Sequence, residues 1–200
     1  KNWYDNPGGR IPPSKLPVIQ KQAFAACDSK ALVIDGIATD PRYCDFDPEI
    51  MICKDTDNDA CLTAPQIETL RSIYKGLTDP RTNRLLYPGF PATMESQDSP
   101  FGGWRRNHTY DIKSDQDDNQ ANSALPSIVE KSRDLYRKVV LDGADWELKS
   151  FDLEKDLRRI QNKTYAGQTF SSVWTPNNAD LSPIRSKGAK LLMYLGGGTN

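Results

Sequence analysis

The four cysteines of this chain, Cys27, Cys44, Cys53 and Cys61, all lie between residues 27 and 61. An even number of cysteines this close together indicates disulfide bonds, and four cysteines allow three different pairings. The sequential pairing would close two short loops. A zinc site is the alternative, but the chain has no Cys-x-x-Cys pair and its one histidine, His108, lies far along the sequence. The cysteines therefore favour a disulfide-bonded segment over a metal centre.

Disulfide bonds are typical of proteins that fold in an oxidising compartment. Two tripeptides point the same way, because Asn107-His108-Thr109 and Asn162-Lys163-Thr164 both match the acceptor pattern for N-glycosylation. The first residues, KNWYDNPGGR, lack the apolar centre of a signal peptide, so we expect the signal to precede them. Together these features predict a secreted, extracellular glycoprotein with acceptor sites at Asn107 and Asn162.

Charge balance and the distribution of apolar residues each argue against one class of partner. The chain has 26 Lys and Arg against 27 Asp and Glu, a net charge of -1, whereas a nucleic-acid binder would show a basic excess. No apolar run approaches the length that spans a bilayer. We therefore expect neither a nucleic acid nor a membrane as partner. The 37% apolar content, with 14 Pro and 13 Gly, predicts a loop-rich globular chain.

Apolar residues at helical spacing, bounded by capping residues, predict a series of helices. The strongest signal is the capping box Thr63-Ala64-Pro65-Gln66, which is followed by an apolar stripe and a stop at Gly76. The predicted helices cover 14–26, 63–75, 126–142, 152–160 and 180–187, with Ser14, Asp152 and Asp180 as caps and Gly143 and Gly188 as stops.

Two other segments have a different pattern. Residues 77–125 are rich in Pro, Gly, Asp and Asn, which predicts a turn at 79–83 within a long irregular segment. Residues 189–195 form an apolar run after Gly188, which predicts a buried parallel strand. Because a single parallel strand cannot satisfy its own backbone, we expect this chain to be part of a larger protein that supplies the neighbouring strands.

Several short motifs, taken in order, are similar to those of the tannase and feruloyl esterase family. They cover nearly the whole chain apart from residues 92–125. The motifs are Ala26-Cys27-Asp28, Asp35-Gly36, DPRYCDFDP at 40–48, Cys53-Lys54, Cys61-Leu62-Thr63, Tyr74-Lys75-Gly76, Asp79-Pro80-Arg81-Thr82, Tyr87-Pro88-Gly89, Trp146, Phe151-Asp152, Asp156, Asp180-Leu181-Ser182 and RSKGAKLLMY at 185–194.

Members of that family are secreted serine esterases in which a lid domain is inserted into an α/β-hydrolase core. The resemblance therefore implies the α/β class, with this chain as the lid (insertion) domain. It implies mostly helices and long loops with disulfides over residues 1–188, and the start of the returning core strand with a tail over residues 189–200. It also favours the sequential disulfide pairing, Cys27–Cys44 and Cys53–Cys61.

The resemblance implies that the catalytic serine and histidine lie outside this chain, because the family's nucleophile is upstream of this stretch and its histidine is downstream. The family's acid would follow the strand at 190–194, where this chain has Thr199 in a glycine-rich tail instead of an aspartate. The sequence agrees, since it contains no Gly-x-Ser-x-Gly elbow to present a nucleophilic serine. We interpret His108, which lies between polar residues, as a solvated surface side chain.

A calcium site is a further implication of the resemblance. In the family, carboxylates just after the first cysteine alternate with backbone carbonyls around the ion. Here those positions are Asp28 and Asp35, with the carbonyls of Val33 and Ile37, while Ala31 replaces the middle carboxylate and should weaken binding. The alternative is a disulfide-bonded loop whose aspartates cap turns.

A second acidic run, Asp55-Thr56-Asp57-Asn58-Asp59, has the start of a helix–loop–helix calcium loop. It lacks the required glycine, because Ala60 stands there, and Gln66 replaces the final glutamate. We interpret it as a solvated acidic hairpin between Cys53 and Cys61.

Trp104 is the predicted substrate contact. In the family, a lid tryptophan after a glycine helps to wall the acyl pocket, and Trp104, after Gly103, resembles it. An aromatic ring on a glycine-flanked loop can lie flat against a phenolic ring. The alternative is that Trp104 packs in the core of the lid, and Arg105 and Arg106 are interpreted as surface charges.

Two hypotheses follow for function. In the first, the chain is the lid of a secreted carboxylic ester hydrolase that acts on aromatic esters of the feruloyl or galloyl type. Its partners are then the α/β-hydrolase core of the same parent protein and a small aromatic ester. In the second, it is a stand-alone secreted binding module, held by disulfides and without catalysis.

Overall fold

The computed structural model describes residues 6–28, 33–34, 37–79, 81–95, 127–174 and 180–192. The chain divides into two compact units, one within Lys1–Ser132 and the other within Arg133–Gly196. Both units are mostly helical, with short pairs of antiparallel strands. No helix in these ranges has both the length and the apolar content that crossing a bilayer requires.

The first unit is built on two helices and two strand pairs. The helices are α1 (Leu16–Asp28) and α2 (Ala64–Lys75). Strand β1 (Val33–Ile34) pairs with β2 (Ile37–Ala38), and β3 (Leu77–Thr78) pairs with β4 (Leu85–Tyr87), both antiparallel. Short 3-10 turns connect them at Pro7–Gly9, Pro13–Lys15, Pro41–Tyr43 and Pro48–Met51.

Helix α2 forms as its local signals predict. The side-chain oxygen of Gln66 accepts a hydrogen bond from the backbone N–H of Thr63 at 3.1 Å, which is one half of the predicted capping box. The helix ends at Gly76, whose φ of +80° lies in the left-handed region that favours glycine. A Cβ at Gly76 would also lie only 2.4 Å from the carbonyl oxygen of Tyr87. The prediction of this helix and of its stop is confirmed.

Helix α1 begins two residues later than predicted, because a 3-10 turn over Pro13–Lys15 precedes it. The prediction that Ser14 caps this helix is wrong. The Ser14 hydroxyl instead donates to the Asp59 carboxylate at 2.7 Å, so it connects the start of the helix to the acidic hairpin. Ile19 and Ala23 are buried as predicted, whereas Ala26 is only partly buried.

The apolar core of the first unit lies between α1 and α2. The first unit contains two disulfide bonds, Cys27–Cys44 and Cys53–Cys61, which is the sequential pairing. No cysteine is left free. The buried apolar residues of this core are Ile11, Leu16, Ile19, Met51, Leu62, Ile67 and Leu70.

The segment after α2 is more ordered than predicted. Residues 77–87 form the β3–β4 hairpin, where we expected an irregular segment apart from the turn at 79–83. That turn is present, because the Asp79 carboxylate accepts from the backbone N–H groups of Arg81 at 2.8 Å and Thr82 at 3.2 Å. Residues 96–125 of the predicted irregular segment lie outside the described residues.

The second unit contains short helices and one strand pair. Helix α3 (Ser127–Leu135) leads into it and continues as a π-helical turn over Tyr136–Val140. The remaining elements are a 3-10 turn at Leu148–Ser150, helix α4 (Leu153–Asn162), the antiparallel pair β5 (Thr164–Tyr165) and β6 (Gln168–Thr169), helix α5 (Phe170–Trp174) and helix α6 (Ser182–Ser186).

The predicted helix over 126–142 is correct in position but not regular throughout. Its last part widens into the π-helical turn, and this places Tyr136 and Val140 in the core, whereas Ser132 is exposed. The predicted stop at Gly143 and the cap at Asp152 are both present, with a φ of +82° at Gly143 and a 2.8 Å bond from Lys155 N–H to the Asp152 carboxylate. 

The C-terminal prediction is only partly within the described residues. Asp180 accepts a hydrogen bond from Ser182 N–H at 2.9 Å before the short helix α6, and Gly188 has a φ of +65° beyond it. Residues 189–192 form no strand, and Leu191 and Leu192 are exposed in this chain. Residues 193–195 of the predicted strand lie outside the described residues.

Candidate functional site

An open cleft of about 490 Å³ lies at the C-terminal end of α2 in the first unit. One wall is the 3-10 turn over Pro41–Tyr43, and the other is the segment that follows β4. Its lining is rich in proline and aromatic side chains. These include Pro41, Phe46, Tyr74, Pro88, Phe90 and Pro91.

The backbone after β4 packs directly onto the end of α2, which fixes this wall of the cleft. Phe90 N–H donates to the carbonyl oxygen of Ile73 at 3.1 Å. A Cβ at Gly89 would lie 1.8 Å from the carbonyl oxygen of Tyr74, so only glycine permits this approach. The Tyr87-Pro88-Gly89 motif therefore has a structural role at this contact.

The opposite wall is fixed by the disulfide Cys27–Cys44 and by an ion pair at its rim. The Arg42 guanidinium makes two hydrogen bonds to the Asp40 carboxylate, at 2.8 and 2.6 Å. These bonds hold the pKa of Asp40 below its ordinary value. The rim of the cleft is therefore lined by a neutralised pair of charges.

A buried glutamate lies beneath the second wall. Glu95 is fully buried, and one of its oxygens accepts from the Tyr74 hydroxyl at 2.5 Å and from Thr93 N–H at 3.0 Å. Burial raises the pKa of Glu95 above its ordinary value, although these hydrogen bonds act in the opposite direction. Thr93 itself has a φ of +83°, a strained conformation for a β-branched residue. Tyr74 and Glu95 thus attach the segment after β4 to helix α2.

The acidic run between Cys53 and Cys61 binds a lysine from the start of α1, Lys15. The Lys15 ammonium is almost fully buried and donates to the Asp57 carboxylate, to the carbonyl oxygen of Cys61 at 2.7 Å and to the side chain of Gln66 at 2.9 Å. The Lys15 ammonium therefore already binds one carboxylate of the acidic run, and the Ser14 hydroxyl binds another, that of Asp59. Sequence reasoning missed Lys15, because nothing local marks a lysine at a helix start as buried.

The same hairpin brings the side chains of Cys53, Asp57 and Cys61 close together, an arrangement that can hold a metal ion. Both cysteines are in the Cys53–Cys61 disulfide, so they offer no thiolate ligand. The remaining carboxylate bonds to Lys15. We therefore interpret this hairpin as structural.

The residues of the predicted calcium site are only partly described. Asp28 is the exposed last residue of α1, and α1 contacts β1. The backbones of Val33 and Ile37 lie in the paired strands β1 and β2, whereas Ala31 and Asp35 lie outside the described residues. The described donors thus lie on contacting elements beside the Cys27–Cys44 disulfide, which is compatible with a shared oxygen site.

The other predicted site residues are divided between described and undescribed parts. Trp104, Asn107 and His108 lie outside the described residues. Asn162 is exposed at the last position of α4, where an acceptor asparagine is accessible. Among the described residues there is no histidine, so they hold no serine–histidine pair.

The second unit has one buried carboxylate, Asp156, which sequence reasoning did not assign as buried. It accepts from the Tyr136 hydroxyl at 2.6 Å, from Asp152 N–H at 2.8 Å and from Arg159 at 3.0 Å. Burial acts to raise the pKa of Asp156, but these hydrogen bonds outweigh it and the pKa is lowered. Burial and the bond to Asp156 raise the pKa of Tyr136 to about 12. Three protein groups bind the Asp156 carboxylate, so we interpret this cluster as structural.

Solved structures of fungal esterases share the fold of this chain. The crystal structure of feruloyl esterase B from Aspergillus oryzae matches with a TM-score of 0.61 and 20% sequence identity, over 92% of this chain and 31% of that chain. Tannin acyl hydrolase from Aspergillus niger matches with a TM-score of 0.56 and 19% identity, over 90% and 32%. The fold is therefore that of one part of larger ester-hydrolase chains.

Sequence comparison identifies the family. The family model described as tannase and feruloyl esterase matches residues 2–198, so the chain belongs to the tannase and feruloyl esterase family, and the resemblance seen in the motifs is confirmed. An uncharacterised esterase of Xanthomonas campestris pv. campestris is 32% identical over 96% of this chain and 32% of its own length. A probable feruloyl esterase B-2 of Aspergillus terreus is 27% identical over 93% and 30%. The chain thus spans about a third of these relatives.

Proposed function

We propose that this chain is the lid, the substrate-selecting part, of a secreted carboxylic ester hydrolase that acts on aromatic esters of the feruloyl or galloyl type. The observation that carries the proposal is the family match over residues 2–198 by a chain that covers about a third of its relatives. One of those relatives is named a probable feruloyl esterase, and one structural neighbour a tannin acyl hydrolase.

The chemistry of acyl transfer indicates which part of the parent protein carries the catalytic residues. Hydrolysis by a serine esterase requires a nucleophile, a base and an orienting acid in contact. The sequence has no Gly-x-Ser-x-Gly elbow, and its one histidine is His108. The α/β-hydrolase core of the parent protein therefore supplies the chemistry, with residues 189–200 as the start of its returning strand. The exposure of Leu191 and Leu192 in this chain supports that assignment.

Trp104 is the proposed wall of the acyl pocket. Its place after Gly102-Gly103 supports this role, because a glycine-flanked loop allows an aromatic ring to lie against a planar acyl group. The chain before it is cross-linked by two disulfides, Cys27–Cys44 and Cys53–Cys61.

Calcium is the proposed ion of the loop after α1, held by Asp28 and Asp35 with the carbonyls of Val33 and Ile37. The contact between α1 and β1 supports this proposal, because it brings the elements that carry these donors together. Calcium would add a structural cross-link beside the Cys27–Cys44 disulfide. With Ala31 in place of a carboxylate, the affinity should be low.

Secretion and glycosylation belong to the same proposal. The two disulfides are typical of an extracellular chain, and the exposed position of Asn162 suits an acceptor site. Asn107 is the second proposed acceptor.

The test compares the full parent protein with this chain alone. The parent should hydrolyse methyl ferulate or methyl gallate much faster than an aliphatic methyl ester, whereas the isolated chain should show no turnover above background. In the parent, Trp104→Ala should raise KM for the aromatic ester by about fivefold, because a lost aromatic contact costs about 1 kcal/mol, and Trp104→Phe should retain most of the affinity.

Three outcomes would contradict the proposal. Turnover by the isolated chain that a serine-directed inhibitor abolishes would require a triad within this chain. Equal rates of the parent on aromatic and aliphatic esters would refute the substrate class. Binding of a hydroxycinnamate by the isolated chain as tightly as by the parent would favour the stand-alone binding module.

A further inference from the structure

The β3–β4 hairpin carries two exposed apolar side chains that lie opposite each other, Leu77 and Tyr87, which we call the hairpin face. Their exposed fractions are 45% and 61%. The strands hold no charged residue, since they read Leu77–Thr78 and Leu85–Tyr87. A solvent-exposed ribbon is usually polar on its outer side, and this apolar pair adjoins the cleft through Pro88, so we take the two together as an interaction surface.

We propose that the hairpin face docks permanently on an apolar surface of the catalytic core of the same parent protein. This inference rests on the proposed function, in which that core accounts for the two-thirds of the relatives that this chain does not cover. The inference adds the surface of this chain that contacts the catalytic core.

The hairpin is built to hold these side chains outward. Leu77 lies directly opposite Tyr87 in the strand pair, so both project from the same side of the ribbon. The turn is closed by bonds of 2.8 Å from Asp79 N–H to the carbonyl of Arg84 and from Asn83 N–H to the carbonyl of Asp79. Such a closed turn leaves the strands little freedom to rotate their apolar side chains toward the chain's own core.

The base of the hairpin is equally fixed. Gly76 and Gly89 bring the two strand ends into backbone contact at the end of α2, where a Cβ on Gly89 would be 1.8 Å from the carbonyl oxygen of Tyr74. The Tyr74–Glu95 hydrogen bond then attaches the segment that continues from β4. The hairpin is thus anchored on the first unit, and its apolar side chains face away from that unit's core.

The chemistry of the face indicates what covers it. Permanent interfaces are more apolar than transient ones, and the strands of the hairpin are free of charge. The neighbouring cleft continues this character, because its lining is proline and aromatic and the Arg42 charge at its rim is neutralised by Asp40. A two-stranded ribbon is marginally stable by itself in water, so an apolar protein surface that packs on it also stabilises it.

Hydroxyl-radical footprinting of the full parent protein and of the isolated chain tests this docking. Tyr87 and Tyr165 are matched reporters, with exposed fractions of 61% and 66%, and Tyr165 lies in the second unit. Both should react equally in the isolated chain. In the parent, labelling of Tyr87 should fall by about fivefold or more, because the centre of an interface excludes water, while Tyr165 should change little.

Unchanged labelling of Tyr87 in the parent, or an equal loss at Tyr165, would overturn the proposal. Concentration-dependent dimerisation of the isolated chain that protects Tyr87 would also overturn it, because the occupant would then be a second copy. These results do not depend on turnover. A parent that fails to hydrolyse aromatic esters refutes the proposed function, and the footprint still reports whether the face is covered.

A substitution adds a second test. Leu77→Asp should leave the melting temperature of the isolated chain nearly unchanged, because Leu77 is already exposed there, but should lower that of the parent. Leu181→Asp is the matched control, an exposed leucine of the second unit that should have little effect in either protein. An equal loss from Leu77→Asp in the isolated chain and in the parent would show a role in local folding and would overturn the docking proposal.

Discussion

The buried ammonium of Lys15 gives the sharpest test of how the first unit is stabilised. It connects the start of α1 to the acidic hairpin and to α2, through Asp57, the Cys61 carbonyl and Gln66. We predict that Lys15→Met destabilises the chain, because methionine keeps much of the apolar stem but removes the three donors.

The magnitude follows from what each acceptor loses. The Cys61 carbonyl loses a charged donor at 2.7 Å, and a bond of that type contributes roughly 1.5–3 kcal/mol. Gln66 loses a bond at 2.9 Å but keeps those to Thr63 N–H and the Arg10 carbonyl, so its cost is smaller. Asp57 is half-exposed and turns to water, so its share is about 0–1 kcal/mol. The sum is about 3 kcal/mol.

Urea denaturation of the oxidised chain measures this loss, and a thermal scan should show a fall of about 6–12 °C for a chain of this size. Lys21→Met is the matched control, since Lys21 is exposed on the same helix and its substitution should change stability by less than about 0.5 kcal/mol. Asp57→Asn should cost about 1 kcal/mol or less, as for other exposed ion pairs. A Lys15→Met chain as stable as the Lys21→Met chain would refute the reasoning.

Three further predictions concern a buried acid, an ion and a glycan. Burial raises the pKa of Glu95 in the folded chain above its unfolded value, so the free energy of unfolding should fall as pH rises from the unfolded pKa through the folded pKa. Urea titrations across pH should show a smaller decline for Glu95→Gln. An identical decline in the variant would contradict the assignment. Added calcium should raise the melting temperature by mass action, and Ala31→Asp should enlarge the rise, so a melting curve indifferent to calcium and chelator in both chains would leave a loop without an ion. Secreted chain should lose one glycan on Asn162→Gln and one on Asn107→Gln by intact mass, and an unchanged mass would exclude that acceptor.

The parts of the fold that sequence predicts well are those with short-range causes. Helix α2 is bounded by Thr63, Gln66 and Gly76, and each acts through the backbone within one turn of the helix. The same holds for Asp152 at the start of α4 and for the turn closed by Asp79. Capping groups and positive-φ glycines depend little on tertiary context, so their patterns are reliable.

The errors have long-range causes. Ser14 was expected to cap α1, but its hydroxyl bonds to Asp59, which is 45 residues away. The β3–β4 hairpin was missed because strands of two or three residues are too short to show alternation. The π-helical turn at Tyr136–Val140 has no local signature, and it forms where Tyr136 reaches the buried carboxylate of Asp156.

The candidate site divides in the same way. The disulfide pairing came from the family motifs and from short loop closure, and both bonds are present. The burial of Lys15, Glu95 and Asp156 was not predictable, because a charged residue is buried only where distant groups compensate it. Those compensating groups lie 20 or more residues away for the Lys15–Asp57, Tyr74–Glu95 and Tyr136–Asp156 contacts.

Buried charges of this kind bear on the proposed lid function. Lys15 in the first unit and Asp156 in the second each have three hydrogen-bonding partners, so each defines one geometry for the elements around it. The hairpin face differs from both, because it offers apolar area without polar partners. Contacts of the first kind fix the geometry within each unit. In the proposed function, the hairpin face would hold the chain against the catalytic core, and both kinds of contact would be needed to place Trp104 accurately over the acyl group.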